Sequence, residues 1–252
     1  MGEKKFRIIF FRHYHENMAK KQQKTIEKTV ETTDSQEFNK LNTYRVEQAI
    51  KFTKQLSRAK FDASVEVHFR LGIDPKKGEQ QIRTAVSLPH GTGKTVKVAA
   101  FVSDDKIKAC QEAGADFVGG EDLITEIKKT EKTDFQVAVA EPIMMKNLAQ
   151  IAKILGTRGL MPSPKNETVT PNPAKAIVEL KKGKVSFKND DTGNVHVVIG
   201  KVSFDDKKLL ENYETILETI KKVKPAKAKG IYIRNISISS SMGPGVKVQV
   251  AK

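Results

Sequence analysis

One cysteine in 252 residues, no apolar run of membrane-spanning length and a deficit of acidic side chains set the first limits. Cys110 alone excludes an intramolecular disulfide and a cysteine-rich zinc site, and its neighbours Ile107 and Ala113 assign it to an inert helix packing position. No stretch approaches the roughly 18 apolar residues of a membrane span. The early run from Ile8 to Phe11 is too short for the hydrophobic region of a secretory signal. A cytoplasmic-type location is therefore expected, with no membrane partner. His13, His15, His68, His90 and His196 show no metal-ligand spacing with Cys110 or with carboxylates, so no metal or other cofactor is expected. What the chain has in excess is positive charge: 45 Lys and Arg against 30 Asp and Glu, a net +15, which suits a polyanionic partner such as RNA or an anionic membrane, and charge alone does not choose between them.

Residues 1–43 read as a flexible basic extension, because Ile26, Val30 and Phe38 are too sparse among Lys, Gln, Thr and Glu to bury a face. Regular patterning begins after it. Val46, Ala49, Ile50 and Leu56 recur at helical spacing over 43–58, and Val65, Val67, Phe69 and Leu71 then alternate with Ser64, Glu66, His68 and Arg70 as a strand with one apolar face. From 92 to 182 the texture is strand and helix in turn: TVKVAAFV, a helix over 107–113, ADFVGG, FQVAVAEP and a helix over 144–155. Such alternation predicts a compact α/β unit on a parallel sheet.

Beyond Gly183 the pattern reverts. Val185 and Phe187, then Val195, Val197 and Ile199, flank Asp191-Thr192-Gly193-Asn194 and predict a β-hairpin. Leu209, Leu210, Tyr213, Ile216, Leu217, Ile220 and Val223 form a helical stripe capped by Asp205 and Asp206. In the next strand the alternation of Ile231 and Ile233 slips phase to Ile236 and Ile238, predicting a bulge near Arg234 and Asn235, and Val246, Val248 and Val250 mark a last strand.

Neither end of the folded region makes a domain alone. The expected fold is an α+β split domain, an α/β sandwich built from 44–91 and 183–252, with a Rossmann-like three-layer α/β domain of 92–182 inserted into it. The crossings at 91–93 and 182–183 carry glycine and would permit a hinge. Charge follows the same division. Residues 92–182 hold 14 basic and 12 acidic side chains, net +2, whereas 44–91 and 183–252 hold 22 and 12, net +10. The split domain thus carries most of the attraction for a phosphate backbone.

An enzymatic reading rests on GTGKT at 91–95, which looks like the end of a phosphate-binding loop. The full loop, GxxxxGK[ST], needs glycine where Leu88 stands, and a strand follows where a helix should begin. Nucleotide hydrolysis is the rejected alternative, and the chain is expected not to be an enzyme.

The strings KFDASVEVHFRLGIDPKK, SLPHGTGK, EAGADFVGG, ILGTRGLMPSPK, GNVHVVIGKVSF and SMGPGVKV resemble, in order and spacing, segments of the large-subunit ribosomal protein one family over 44–250. The resemblance implies a two-domain protein whose split domain grips a stalk segment of large-subunit rRNA beside the exit-site tRNA. It also implies a translational repressor of its own operon mRNA, monomeric off the ribosome. The other non-enzymatic reading is a relative acting outside the ribosome as an RNA chaperone. A basic extension without the amphipathic Arg/Ser pattern of a transit peptide favours a cytoplasmic, bacterial-type ribosome over an organellar one. Met18 opens a Met-Ala-Lys-Lys string like the start of many bacterial ribosomal proteins, which leaves 1–17 open as the product of an upstream start.

By the same resemblance the RNA contacts fall on Lys60, Phe61, Ser64, Glu66, Ser241, Met242 and Gly243. The chemistry fits: Lys60 for phosphate, Phe61 as a flat apolar face, the serines and Glu66 for ribose hydroxyls, and Gly243 for close approach of RNA to the backbone. Ser239, Ser240 and Ser241 stand where the family often has threonine, and Asn235 where it often has serine, so individual contacts are less secure than the site. From the residues alone Phe61 reads as a cap on the core, and Met242 stands open between a plug at a strand end and an RNA contact. Lys184, Lys188 and Lys201, on outward hairpin positions, form a second tier of candidates.

Overall fold

Two apolar patterns, period two in strands and three-to-four in helices, sort the chain into three sheets and the helices that cover them. A computed structural model describes residues 38–228 and 230–250. The chain divides into two units, Met1–Asn39 and Lys40–Lys252, and every described helix and strand belongs to the second. The expected extension lies almost wholly outside the described residues.

In chain order the elements are β1 (Thr43–Tyr44), α1 (Val46–Gln55), β2 (Ser64–Leu71), β3 (Arg83–Ser87), β4 (Val98–Phe101), α2 (Ile107–Glu112), β5 (Phe117–Gly119), α3 (Glu121–Thr130), β6 (Val137–Ala140), α4 (Met145–Leu148), α5 (Ala152–Thr157), α6 (Pro173–Lys181), β7 (Lys184–Lys188), β8 (Asn194–Lys201), α7 (Asp206–Lys222), β9 (Ile233–Ser240) and β10 (Val246–Val248). Thr43, the last residue of the expected extension, pairs with Lys247 in β1. The result is a mixed α/β fold with a five-stranded sheet of order β1-β10-β9-β2-β8, a two-stranded β3-β7 ribbon and a three-stranded β5-β4-β6 sheet.

The five-stranded sheet has one apolar face. Val65, Val67, Phe69, Val195, Val197, Ile199, Ile236, Ile238, Val246 and Val248 are buried on it. Helices α1 and α7 cover this face, and Tyr213 of α7 stacks on Phe69 with ring centroids 6.3 Å apart. The expected phase slip is present: Arg70 pairs with Asn235 but Leu71 with Ile233, so Arg234 is the extra residue.

The three-stranded sheet is parallel throughout. Alternation sends Ala99, Phe101, Ala138 and Ala140 toward Ile124 and Ile127 of α3 and toward Leu148 and Leu155 of α4 and α5. Val98, Ala100 and Val139 point the other way, onto Cys110 of α2 and Ala176, Ile177 and Leu180 of α6. Both faces are covered, which is why these strands read as unbroken apolar runs. The helix expected over 144–155 is two short helices joined by a 3-10 turn at Ala149–Ile151.

One expectation needs correction. The strands either side of Asp191-Thr192-Gly193-Asn194 do not form a hairpin ladder. The turn itself is tight, since Asp190 accepts at Oδ1 from the N–H groups of Thr192 (3.0 Å) and Asn194 (2.6 Å). Only the bridge between Asn189 and Val195 joins the two strands beyond it. β7 pairs with β3, a strand the apolar pattern did not reveal, and Asn189 extends that ladder by exchanging hydrogen bonds with the backbone of Ile82. β8 pairs with β2.

The two chain crossings meet. A Cβ on Gly183 would fall on the Cα of Gly91, and both glycines have positive φ, so neither tolerates a side chain. The crossing at 90–91 is fixed by Asn212 of α7, which is fully buried. Its Nδ2 donates to the carbonyls of Gly91 (3.0 Å) and Ile199 (2.7 Å), and its Oδ1 accepts from the His90 N–H (3.2 Å). Asn212→Leu keeps the branched four-atom side chain but strands these three backbone groups, so urea denaturation should report a loss of at least about 1–3 kcal/mol. Unchanged stability would mean that the clamp carries nothing.

Candidate nucleic-acid interface

Strand alternation leaves the second face of the five-stranded sheet polar and uncovered by α1 or α7. β2 contributes Ser64, Glu66, His68 and Arg70. Register places Glu66 between Val198 of β8 and Ser239 of β9, His68 between His196 and Ser237, and Arg70 between Asn194 and Asn235. Lys247 of β10 continues the histidine row beyond Ser237.

At the Ser64 end of this face the two expected groups of contact residues come together. The start of β2 meets the turn after β9 through three hydrogen bonds: Ser241 N–H to the Ser64 carbonyl at 2.9 Å, Ser64 N–H to Ser241 Oγ at 3.3 Å, and Ser241 Oγ–H to the Ser64 carbonyl at 3.4 Å. Ser64 is buried, so its backbone, more than its hydroxyl, shapes the site. Glu66 is half-buried and Lys60 exposed.

Phe61 is 61% exposed and Met242 94%. The core-cap reading of Phe61 and the plug reading of Met242 are both excluded. Phe61 is turned outward because its neighbours are tied down. Ala63 is buried with its carbonyl accepting from Val202, and Asp62 accepts from Ser203 N–H (3.2 Å) and Oγ–H (2.9 Å). Met242 is held outward by a left-handed backbone, φ 64°, which costs a non-glycine residue of order 1 kcal/mol or more. Strain of this kind on a fully exposed apolar residue is an observation about the site, since nothing in the core gains from it. Gly243 closes the turn with its N–H on the Ser240 carbonyl at 2.9 Å, and a Cβ there would fall on the Ser240 hydroxyl.

The second-tier lysines are not brought together. Lys201 lies beside Ser64 across β2 and β8, but its ammonium is 3.7 Å from the Asp62 carboxylate. Lys188 is exposed on the β3-β7 ribbon opposite Arg83, in a different sheet. The outward, phosphate-facing position expected for Lys184 is corrected: its side chain is 11% exposed and its ammonium is held by Glu167 and by Glu179 (2.9 Å). Burial works against its charge, but the two carboxylates outweigh it and hold the ammonium above its ordinary pKa. Only the Lys184 end of β7 is covered, where the strand packs on α6 and the ammonium reaches Glu167 and Glu179.

Residues that sequence reasoning left undecided are also placed on this face. His68 and His196 lie opposite each other with Nδ1 atoms 2.8 Å apart, and His68 Nε2 is 2.9 Å from Ser239 Oγ. Their polar positions in the alternation were visible; their pairing required the register.

The GTGKT segment runs into β4, with no helix at its end. Where a parallel sheet would take a ligand, at the carboxyl end of β4 and β6, Glu141 is buried and bonded to Ser103 Oγ (2.5 Å) and Lys106 Nζ (2.6 Å). Those bonds, Lys106 first, hold its carboxyl below the usual range against the effect of burial. Among the described residues no group of three or more His, Cys, Asp or Glu side chains is placed to hold a metal ion, and no helix is long and apolar enough to cross a membrane.

The model of the ribosomal protein L1p/L10e family matches residues 51–244. The large ribosomal subunit protein uL1 of Mesoplasma florum is 53% identical over 212 residues, which cover 84% of this chain and 93% of that relative.

Proposed function

The chain belongs to the ribosomal protein L1p/L10e family and is a structural constituent of the large ribosomal subunit, not an enzyme; from that premise we propose that it binds large-subunit rRNA through the uncovered face of the five-stranded sheet. The observation that carries this reading is the pair of outward apolar side chains, Phe61 and Met242, at the end of a polar sheet face beside the exposed Lys60. A base or sugar can stack on Phe61 while Lys60 meets phosphate and Glu66 accepts from a 2′-hydroxyl. Ser241, Ser64 and Gly243 hold the turn that presents Met242.

In this reading 44–91 and 183–252 form the split RNA-binding domain and 92–182 an inserted Rossmann-like domain. It is supported by the five-stranded sheet, which draws its strands from both ends of the chain, and by the parallel sheet, whose strands all fall within 98–140. The rRNA partner is the stalk segment beside the exit-site tRNA, whose release the protein assists. The same face, offered a similar fold in its own operon mRNA, represses translation. The ribosome is of the bacterial, cytoplasmic type, in line with the bacterial relative, and the free protein is a monomer.

Crosslinking in cells followed by sequencing of the bound RNA tests the proposal. One dominant large-subunit rRNA segment is the expected result, and scattered messages without it would move the protein to the chaperone class. With that segment in vitro, affinity should fall by on the order of tenfold or more between low and moderate salt, because each neutralised phosphate releases counterions. A flat response in filter binding would exclude the basic surface as the binding face.

A further inference from the structure

The middle of the uncovered face holds a relay that the RNA reading does not use. Asp190, in the turn before β8, lies 3.7 Å from His196 Nε2; His196 and His68 share the 2.8 Å Nδ1 contact; and His68 Nε2 meets Ser239 Oγ at 2.9 Å. Carboxylate, imidazole, imidazole and hydroxyl thus cross from β8 over β2 to β9. The rings are edge-on, 5.0 Å between centroids at 64°.

A hydrogen bond between two Nδ1 atoms accommodates one proton. One ring donates and the other must present a lone pair, so the bonded pair cannot hold both rings as imidazolium. Burial, followed by the neighbouring His196, lowers the pKa of His68, with Glu66 opposing. The other charges on this face are Arg70 on β2, one row away and exposed, Lys247 on β10, and Lys201 at the Ser64 end, 3.7 Å from Asp62, with Asp190 at the turn. β8 and β9 add only Asn194, Val198, Asn235, Ser237 and Ser239 to the rows around the pair. While the Nδ1–Nδ1 bond stands, the pair holds at least one proton fewer than two imidazolium rings would.

We propose that the His68–His196 pair is a proton-linked phosphate contact: an RNA phosphate settling over it draws protons from solvent, one onto each ring that is neutral in the free protein, the Nδ1–Nδ1 bond opens, and both imidazolium rings donate to the phosphate oxygens. Ser239 and Arg70 stand beside them as further donors. The sign follows from linkage. A phosphate raises the pKa of the rings in the complex above that in the free protein, so affinity is gained below the complex pKa and lost as pH rises through it. The inference rests on the RNA reading of this face and adds its regulation by pH.

The test uses the full chain and in-vitro-transcribed large-subunit rRNA. Calorimetry near pH 6.5, in two buffers of different ionisation heat, should give a net uptake of protons on binding, up to about two. Affinity should rise several-fold from about pH 8 to 6, within the limit of roughly tenfold per pH unit for each proton. His68→Gln and His196→Gln should each reduce the uptake and flatten the profile, and the double variant should abolish it. If the half-buried His68 does not tolerate replacement, the exposed His196 carries the test. Tight binding without proton uptake, or uptake undiminished in His196→Gln, overturns the inference and leaves the RNA reading standing. Absence of binding at any pH overturns both.

Discussion

Phe61→Ala is expected to weaken binding of the rRNA segment by on the order of ten- to a hundredfold while leaving the fold as stable as before. Stacking of a base on an aromatic ring is worth about 1–3 kcal/mol by alanine substitution, and 1.4 kcal/mol is a factor of ten. On the stability side, a ring 61% exposed has little transfer energy left to lose, so urea denaturation should move by no more than about 0.5 kcal/mol. A core phenylalanine such as Phe69, fully buried, would lose about 3–5 kcal/mol on the same replacement and serves as the contrast. Met242→Ala should behave like Phe61→Ala with a smaller loss of affinity, since a thioether chain packs on a base without an aromatic face. Undiminished binding in both folded variants would remove the Phe61 end of the sheet from the interface.

How far such a site can be read before any coordinates depends on which kind of information each residue needs. Long periodic segments were legible: α1, β2 and α7 fall where their apolar spacing put them, and the slip at Arg234 was visible as a change of phase. Short or half-exposed elements were not. β3 has a single buried residue, Val86, in five positions, and α3 buries only Ile124 and Ile127, so neither announces itself by periodicity; α6, by contrast, buries Pro173, Ala176, Ile177 and Leu180 at helical spacing behind an N-terminal proline, a legible signal.

Pairing is the other blind spot. Asp191-Thr192-Gly193-Asn194 encodes a tight turn, and the turn is there. What the flanking strands do next is decided by the ladders waiting for them on β3 and β2, and no local signal reports those. The same gap misplaced Lys184, whose partners Glu167 and Glu179 come from elsewhere in the chain, and left His68 and His196 unpaired. The contact set around Phe61 and Met242 came from resemblance. Composition and spacing alone would have sent Phe61 into the core.

Gly243→Val is expected to damage stability and RNA affinity together, and a second substitution separates the two. Gly243 is not among the glycines with positive φ, so backbone conformation alone does not require it. Space does. A Cβ would collide with the hydroxyl of Ser240, whose side chain is buried and has no hydrogen-bond partner for its Oγ. Forcing an extra carbon into such a place costs typically about 1–3 kcal/mol, and the branched valine belongs at the upper end. If RNA packs against the Gly243 backbone, the same carbons also occupy the position of a sugar or phosphate and reduce affinity by on the order of tenfold or more. Ser240→Ala removes the colliding hydroxyl. In the pair Ser240→Ala with Gly243→Ala, stability should recover most of what Gly243→Ala alone loses, a coupling above about 0.5 kcal/mol by double-mutant cycle. Affinity that stays low in the restabilised double variant places RNA against Gly243. Affinity that returns with stability makes Gly243 a residue that shapes the turn, with Met242 and Phe61 left to make the contact.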